Sequence, residues 1–178
     1  MNWALILGIG IPIIIFIGVI RFIYRTYNEL IWHLVKVDKI TGNLDAVLKK
    51  KFDLIPALVE IVKGYASHEK GTFEKVTELR SQWGKAKDTK DKIKTANMLE
   101  GALSKLLVVQ ERYPKLKADK SFQNIQKSIN KAESEILSER KYYNEIVRRY
   151  NVRVKLFPRN IIAKFFGFTE RQFFSKEN

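Results

Sequence analysis

Residues 3–20 read WALILGIGIPIIIFIGVI, and no charged residue interrupts them. Phe22, Ile23 and Tyr24 prolong the run past Arg21. About 20 residues rising ~1.5 Å each cross a hydrocarbon core of ~30 Å. A helix satisfies its own backbone polar groups there, and the one bond that Pro12 withholds is repaired locally. A core helix would show a polar stripe, and a cleaved signal peptide would show a basic start and a small-residue cleavage site. Here only Met1 and Asn2 precede the run, and Arg21 and Arg25 follow it. Residues 1–24 are therefore expected to form a transmembrane anchor. Arg21, Arg25 and Lys36 flank its C-terminal side and no Lys or Arg flanks the other. The positive-inside rule then expects a single-pass protein of the cell membrane, N-terminus outside and bulk in the cytoplasm. Gly8, Gly10 and Gly18 lack the spacing that pairs spans through small residues.

The remainder of the 178 residues is long enough to bury a core. Four Pro and nine Gly are sparse breakers, which favours long helices over many short strands. The absence of Cys removes disulfides, thiolate metal sites and cysteine nucleophiles from consideration. A net charge of +14 suits nucleic acid, an anionic membrane surface or an acidic protein, and charge alone does not choose among them.

Beyond Tyr27 the apolar period becomes helical: Leu30, Leu34, Val37, Thr41, Leu44 and Leu48 step by fours and threes. Lys49, Lys50 and Lys51 close this helix with the charge its dipole prefers. Asp53-Leu-Ile-Pro56 reads as a new start, with Asp53 as N-cap and Pro56 in the first turn. A chain reversal is expected here, with a single long helix kinked at Pro56 as the alternative. Ile55, Val59, Val62 and Ala66, then Phe73 and Val76, form the second seam. Trp83-Gly84 and the charged residues 85–91 read as a loop, and a third helix covers about residues 92–111. A fourth starts near Asp119 or Ser121 and runs to Pro158. The expected fold is all-α: an N-terminal transmembrane helix, an antiparallel up-down-up-down four-helix bundle over residues 25–157, and a short amphipathic C-terminal segment over residues 158–178.

Several stretches, specific in combination, resemble the LemA family over nearly the whole chain. They are Tyr27-Asn28-Glu-Leu, then LDAVLKKKFDLIPALVEIVKGYASHEK from residue 44, which contains Asp45, Asp53, Pro56, Lys63, Gly64, Tyr65 and His68. YPKLKAD from residue 113, YYNEIVRRYN from residue 142 and FPRNIIAKFFGF from residue 157, with Pro158, complete the set. The resemblance implies a single-span helical membrane protein of undefined molecular role, and it brings no catalytic residues. Ala57 departs from the pattern, which often has Asn there.

The residues themselves agree. Ser67, His68 and Glu69 are triad types, but neighbours on a helix point about 100° apart and cannot align. His33 and His68 are the only histidines, and no phosphate-cradling glycine loop occurs. No catalytic residue, cofactor or metal site is assigned. The doublets Tyr27-Asn28, Tyr143-Asn144 and Tyr150-Asn151 fall on seams. They suit bundle-end packing, or a polar groove for another helix. Arg140 interrupts an apolar seam and is expected to meet Asp45, with Asp38 or Glu133 as substitutes. No acid lies between Ile146 and Thr169, whereas Arg148, Arg149, Arg153, Lys155, Arg159 and Lys164 are basic. With Phe165, Phe166 and Phe168 they form a candidate membrane-surface segment. The partners expected are the lipid bilayer and an unidentified protein. The reading is a membrane-anchored interaction or scaffold protein; the alternative, a membrane-tethered nucleic-acid binder, has no recognition motif behind it.

Overall fold

A computed structural model describes the backbone of residues 3–174 and the side chains of residues 8–174. Met1, Asn2 and residues 175–178, the ends of the expected anchor and C-terminal segment, lie outside the described residues. The helices are α1 (Trp3–Phe52), α2 (Ile55–Tyr65), α3 (Lys70–Lys85), α4 (Thr89–Val108), α5 (Pro114–Ala118), α6 (Lys120–Lys155) and α7 (Arg159–Phe165), with a 3-10 turn at Val109–Arg112. No strand occurs among the described residues, so the all-α reading is borne out. The described chain forms two compact units. One takes residues up to Lys39 together with Glu145–Arg171, the other Ile40–Asn144 together with the residues from Gln172 on.

In the second unit, Lys51 pairs with Glu133, and Tyr65 Oη donates to Asp119 at 2.9 Å. Equal stretches of chain separate Lys51 from Tyr65 and Asp119 from Glu133. So α2 keeps the direction and register of α1 along α6, and the chain does not reverse at Asp53–Pro56. That corrects the expected turn: Pro56 marks a break in one continuing track. The reversal comes later, at residues 66–69, around the fully buried Ala66. From there α3 returns beside α2, with Lys63 over the Phe73 ring and Phe52 edge-on to Trp83 at 5.0 Å. α4 then runs back beside α3 and α1, joined by Lys92 to Asp45 and by Arg112 to Glu69 at 2.8 Å.

The core is the set of seams. Leu44, Leu48, Phe52, Leu58, Val62, Val76, Leu79, Leu99, Leu103, Phe122 and Ile136 are all buried. α6 starts at Lys120, beside the expected Asp119, whose carboxylate caps it by accepting from the Phe122 N–H at 2.8 Å. Asp88 caps α4 through the Lys90 N–H, which starts that helix inside the expected loop. Asp53 does not cap α2, contrary to expectation; it pairs with Lys49 and with Arg80.

The break itself is chemically repaired. Pro56 has no N–H for the carbonyl four residues back, which belongs to Phe52. Arg80 of α3 fills the role, its Nε donating to Phe52 O at 3.0 Å while its Nη2 reaches Asp53 at 3.2 Å. Arg80→Ala should therefore cost about 1–2 kcal/mol in denaturant unfolding. Adding Pro56→Ala to that variant should recover part of the loss by restoring a backbone donor, and no recovery would separate Arg80 from the break.

Candidate functional site

The first unit carries the expected membrane features. From Ile9 to Ile20 the side chains of α1 are almost all exposed, Ile14 at 70% and Phe16 at 65%. This is the one helix among the described residues long and apolar enough to cross a membrane. So large an apolar surface calls for a non-aqueous neighbour. Past Arg25 the helix gains a buried seam of Thr26, Leu30, His33 and Val37. The sequence reading placed Leu34 there; the seam takes His33 instead, and Leu34 is half-buried.

α7 sits against α1 where the apolar run ends. The Phe166 ring lies 4.8 Å from that of Tyr27, and Phe168 lies 5.8 Å from it on another edge. Phe166 also shares a shallow cleft with Ile20, Ile23 and Tyr24. Phe165 is directed outward and is 82% exposed, with Phe157 and Ile161 exposed beside it in sequence. A short amphipathic helix starting at Pro158 explains the pattern: Ile162 and Ala163 are buried, while Ile161, Lys164 and Phe165 stay outside.

The basic residues are less free than their acid-free stretch suggests. Glu29 of α1 accepts from Arg153 Nε at 2.7 Å and lies 3.2 Å from Arg159 Nη2. Burial pushes the Glu29 carboxyl up, but the Arg153 hydrogen bond and the charges of Arg159 and Arg153 outweigh it and hold the group below its ordinary range. Glu145 takes both Arg148 and Arg149, whose hydrogen bonds bring its pKa down to about 2. Lys155 pairs with Glu170 at 2.8 Å. With these pairings made, Lys164 and the aromatic edge of Phe157 and Phe165 are left outward.

The Tyr-Asn doublets find their partner in the chain itself. In the first unit Asn151 donates through Nδ2 to the Arg171 carbonyl and accepts from the Arg171 N–H, both at 2.8 Å. In the second unit Asn144 does the same to Phe174, at 3.0 and 2.8 Å, and Tyr143 Oη donates to the Gln172 carbonyl at 2.8 Å. Tyr150 is buried, and burial raises its phenol pKa. Asn28 serves only its own helix, donating to Tyr24 O.

Arg140 in the second unit does not meet Asp45, which corrects the expected pair. Asp45 takes Lys92, and Glu133 takes Lys51. Arg140 Nη2 reaches Glu100 of α4 at 2.6 Å. Gly64 and His68 are exposed at or beyond the end of α2. No group of three His, Asp or Glu side chains among the described residues gathers in a geometry that could hold a metal ion.

Three comparisons bear on this arrangement. The profile of the LemA family matches residues 41–178. Protein LemA of Metamycoplasma hominis is 25% identical over 153 residues, which is 85% of this chain and 70% of that protein. Magnetosome proteins MamQ 1 and MamQ 2 of Paramagnetospirillum magneticum are each 28% identical over 76 residues, 43% of this chain and 28% of their own length.

His33 supplies a pH test of the first unit. It is 7% exposed, edge-on to Trp32, and faces Glu29, Lys36, Arg149 and Arg153. Burial, then the Arg153 charge, lowers its pKa, and Glu29 only partly opposes them. A base depressed in the folded state contributes stability that is complete above its ordinary pKa of about 6.5 and is lost as pH falls toward the folded value. Glu29 and Glu145 are shifted below the usual carboxylate range and titrate under this window. The melting temperature should therefore drop between pH ~7.5 and ~5.5, and His33→Gln should flatten that drop. An equal drop in the variant would remove His33 as its source.

Proposed function

The chain belongs to the LemA family, and from that premise we propose that it is a non-enzymatic, single-pass membrane-anchored interaction or scaffold protein whose α7 end rests on the cytoplasmic leaflet of the cell membrane. One observation carries the reading: Phe166 lies on Tyr27 and shares a cleft with Ile20 at the boundary where the exposed apolar run of α1 gives way to charge. A segment seated at that boundary is seated at headgroup depth if α1 spans the bilayer. Lys164 there would gain about 1 kcal/mol from an anionic leaflet, and burying a Phe165 ring about 1.5–3 kcal/mol. Arg21 and Arg25, on the same side of the run, support the cytoplasmic assignment.

The native chain contains no Cys, so a single introduced thiol reports cleanly. In the full chain reconstituted into anionic vesicles, a polarity-sensitive dye at Phe165→Cys should emit as in an apolar medium and be quenched by lipid-borne quenchers. Neutral vesicles should weaken both effects. Water-like, unquenched emission in anionic vesicles would contradict the surface contact. A thiol at Gly42→Cys, an exposed position on α1, should label in intact cells only after permeabilisation. Labelling from outside would invert the orientation.

A further inference from the structure

A lone helix presents a convex surface to its surroundings. In the first unit the Phe166 ring stands against α1 as a second wall and makes a concave one. The result is an open cleft of about 300 Å³ lined by Ile20, Ile23, Tyr24, Tyr27 and Phe166. That volume is at the lower end for small-molecule sites, and none of the lining side chains is charged. The wall is braced from three sides. Phe166 and Phe168 meet the Tyr27 ring at 4.8 and 5.8 Å across the turn that Gly167 makes at φ +75°. Phe165 backs Phe166 edge-on at 5.0 Å.

The rim of the cleft is cationic. Arg21 and Arg25 directly follow the cleft residues Ile20 and Tyr24 and lie about one turn apart on α1. Both are exposed, and neither makes an ion pair among the described residues. They differ in this from Arg148, Arg149, Arg153, Lys155 and Arg159, which are paired with Glu29, Glu145 and Glu170. No acidic residue precedes Glu29 in the chain. Tyr24 is 70% exposed, so its hydroxyl is open to a ligand. A free anion would leave the apolar walls wet, and a plain hydrocarbon would leave both guanidinium groups without a partner. A ligand with a hydrocarbon body and an anionic head satisfies both. Ile20 to Tyr27 covers about 10 Å of helix, close to the ~5–8 Å of headgroup layer on each face of a bilayer.

We propose that this cleft binds one anionic phospholipid, with an acyl chain against Ile20, Ile23 and Phe166 and the phosphate held by Arg21 and Arg25. The proposal rests on the reading that α1 spans the bilayer, and it adds to the leaflet contact of α7 a bound lipid of defined charge. Lipids beside a convex span exchange freely. One whose chain fills a notch and whose phosphate meets paired guanidinium groups exchanges more slowly.

The test places the full chain in phosphatidylcholine vesicles carrying a trace of spin-labelled phosphatidylglycerol or of spin-labelled phosphatidylcholine. The phosphatidylglycerol label should show a component slower than the lipid around the span, saturating at one per chain. Its affinity should exceed that of the phosphatidylcholine label at least about fivefold. Replacing Arg21 and Arg25 together by Gln should bring the two labels level. Ile23→Trp, which fills the cleft and keeps both arginines, should remove the slow component, whereas Ile14→Trp, at an exposed position outside the cleft, should leave it. Equal restriction of the two labels in the wild type would overturn the proposal. So would a preference that survives loss of both arginines, or a slow component that survives Ile23→Trp. If a dye at Phe165→Cys reports apolar surroundings while the slow component is absent, the cleft proposal fails and the leaflet contact stands; water-like emission from that dye removes both.

Discussion

Glu100 carries the constraint on which the second unit depends. Its carboxylate is nearly inaccessible, with Arg140 Nη2 at 2.6 Å and Lys51 Nζ at 3.7 Å. Lys51, itself buried, reaches outward to Glu133. Glu100, Lys51 and Arg140 are thus shielded from water, and the half-exposed Glu133 completes the charge balance at the surface. Removing one partner of such a set leaves a stranded charge, whereas removing a matched pair does not. The network takes its members from the end of α1, the middle of α4 and the middle of α6. It therefore admits one register of these helices, where apolar seams alone would tolerate sliding by a turn. Its position also explains the neighbouring features. Phe52 and the Pro56 break follow Lys51 directly, and Phe174 closes over Arg140 on the other side.

Much of this architecture was legible in the sequence. The apolar run of about 20 residues has few physical readings. The spacing of Leu44, Leu48, Leu99, Leu103, Ile129 and Ile136 marks helical faces, and Asp119 announces a helix start through a local cap. Other features depend on where separate segments come to lie. Pro56 in a first turn is compatible with a reversal and with a break in a continuing track; the pairings of Lys51 with Glu133 and of Tyr65 with Asp119 decide it, and both partners lie far away in the sequence. The partner of Arg140 follows from helix register, and Asp45 was the wrong choice because Lys92 claims it. His33 and Lys51 are buried although their residue types point to the surface. The doublets Tyr143-Asn144 and Tyr150-Asn151 were visible, but their partners are main-chain groups, which have no side-chain signature.

The C-terminal stretch also changes meaning between sequence and structure. As a string of Arg, Lys and Phe it reads as a candidate membrane-surface segment with six free cations. In the first unit Glu29, Glu145 and Glu170 take up most of its cations, which leaves Lys164 and an aromatic edge outward. The electrostatic component of any membrane contact is thereby modest, and the apolar component carries more of it. If α1 spans a membrane as proposed, such a contact would have only to orient, since the span would supply the attachment.

The central claim is that the Glu100 network holds helix register through a balanced buried charge. A double-mutant cycle with Arg140→Met and Glu100→Leu, measured by denaturant unfolding of the full chain in micelles, tests it most directly. Each single variant should lose about 3–5 kcal/mol, and the double variant should be clearly more stable than the sum of the two losses allows, by about 2 kcal/mol or more. Additive losses, or single losses under about 1 kcal/mol, would mean that the pair behaves as an exposed surface contact and would contradict the account.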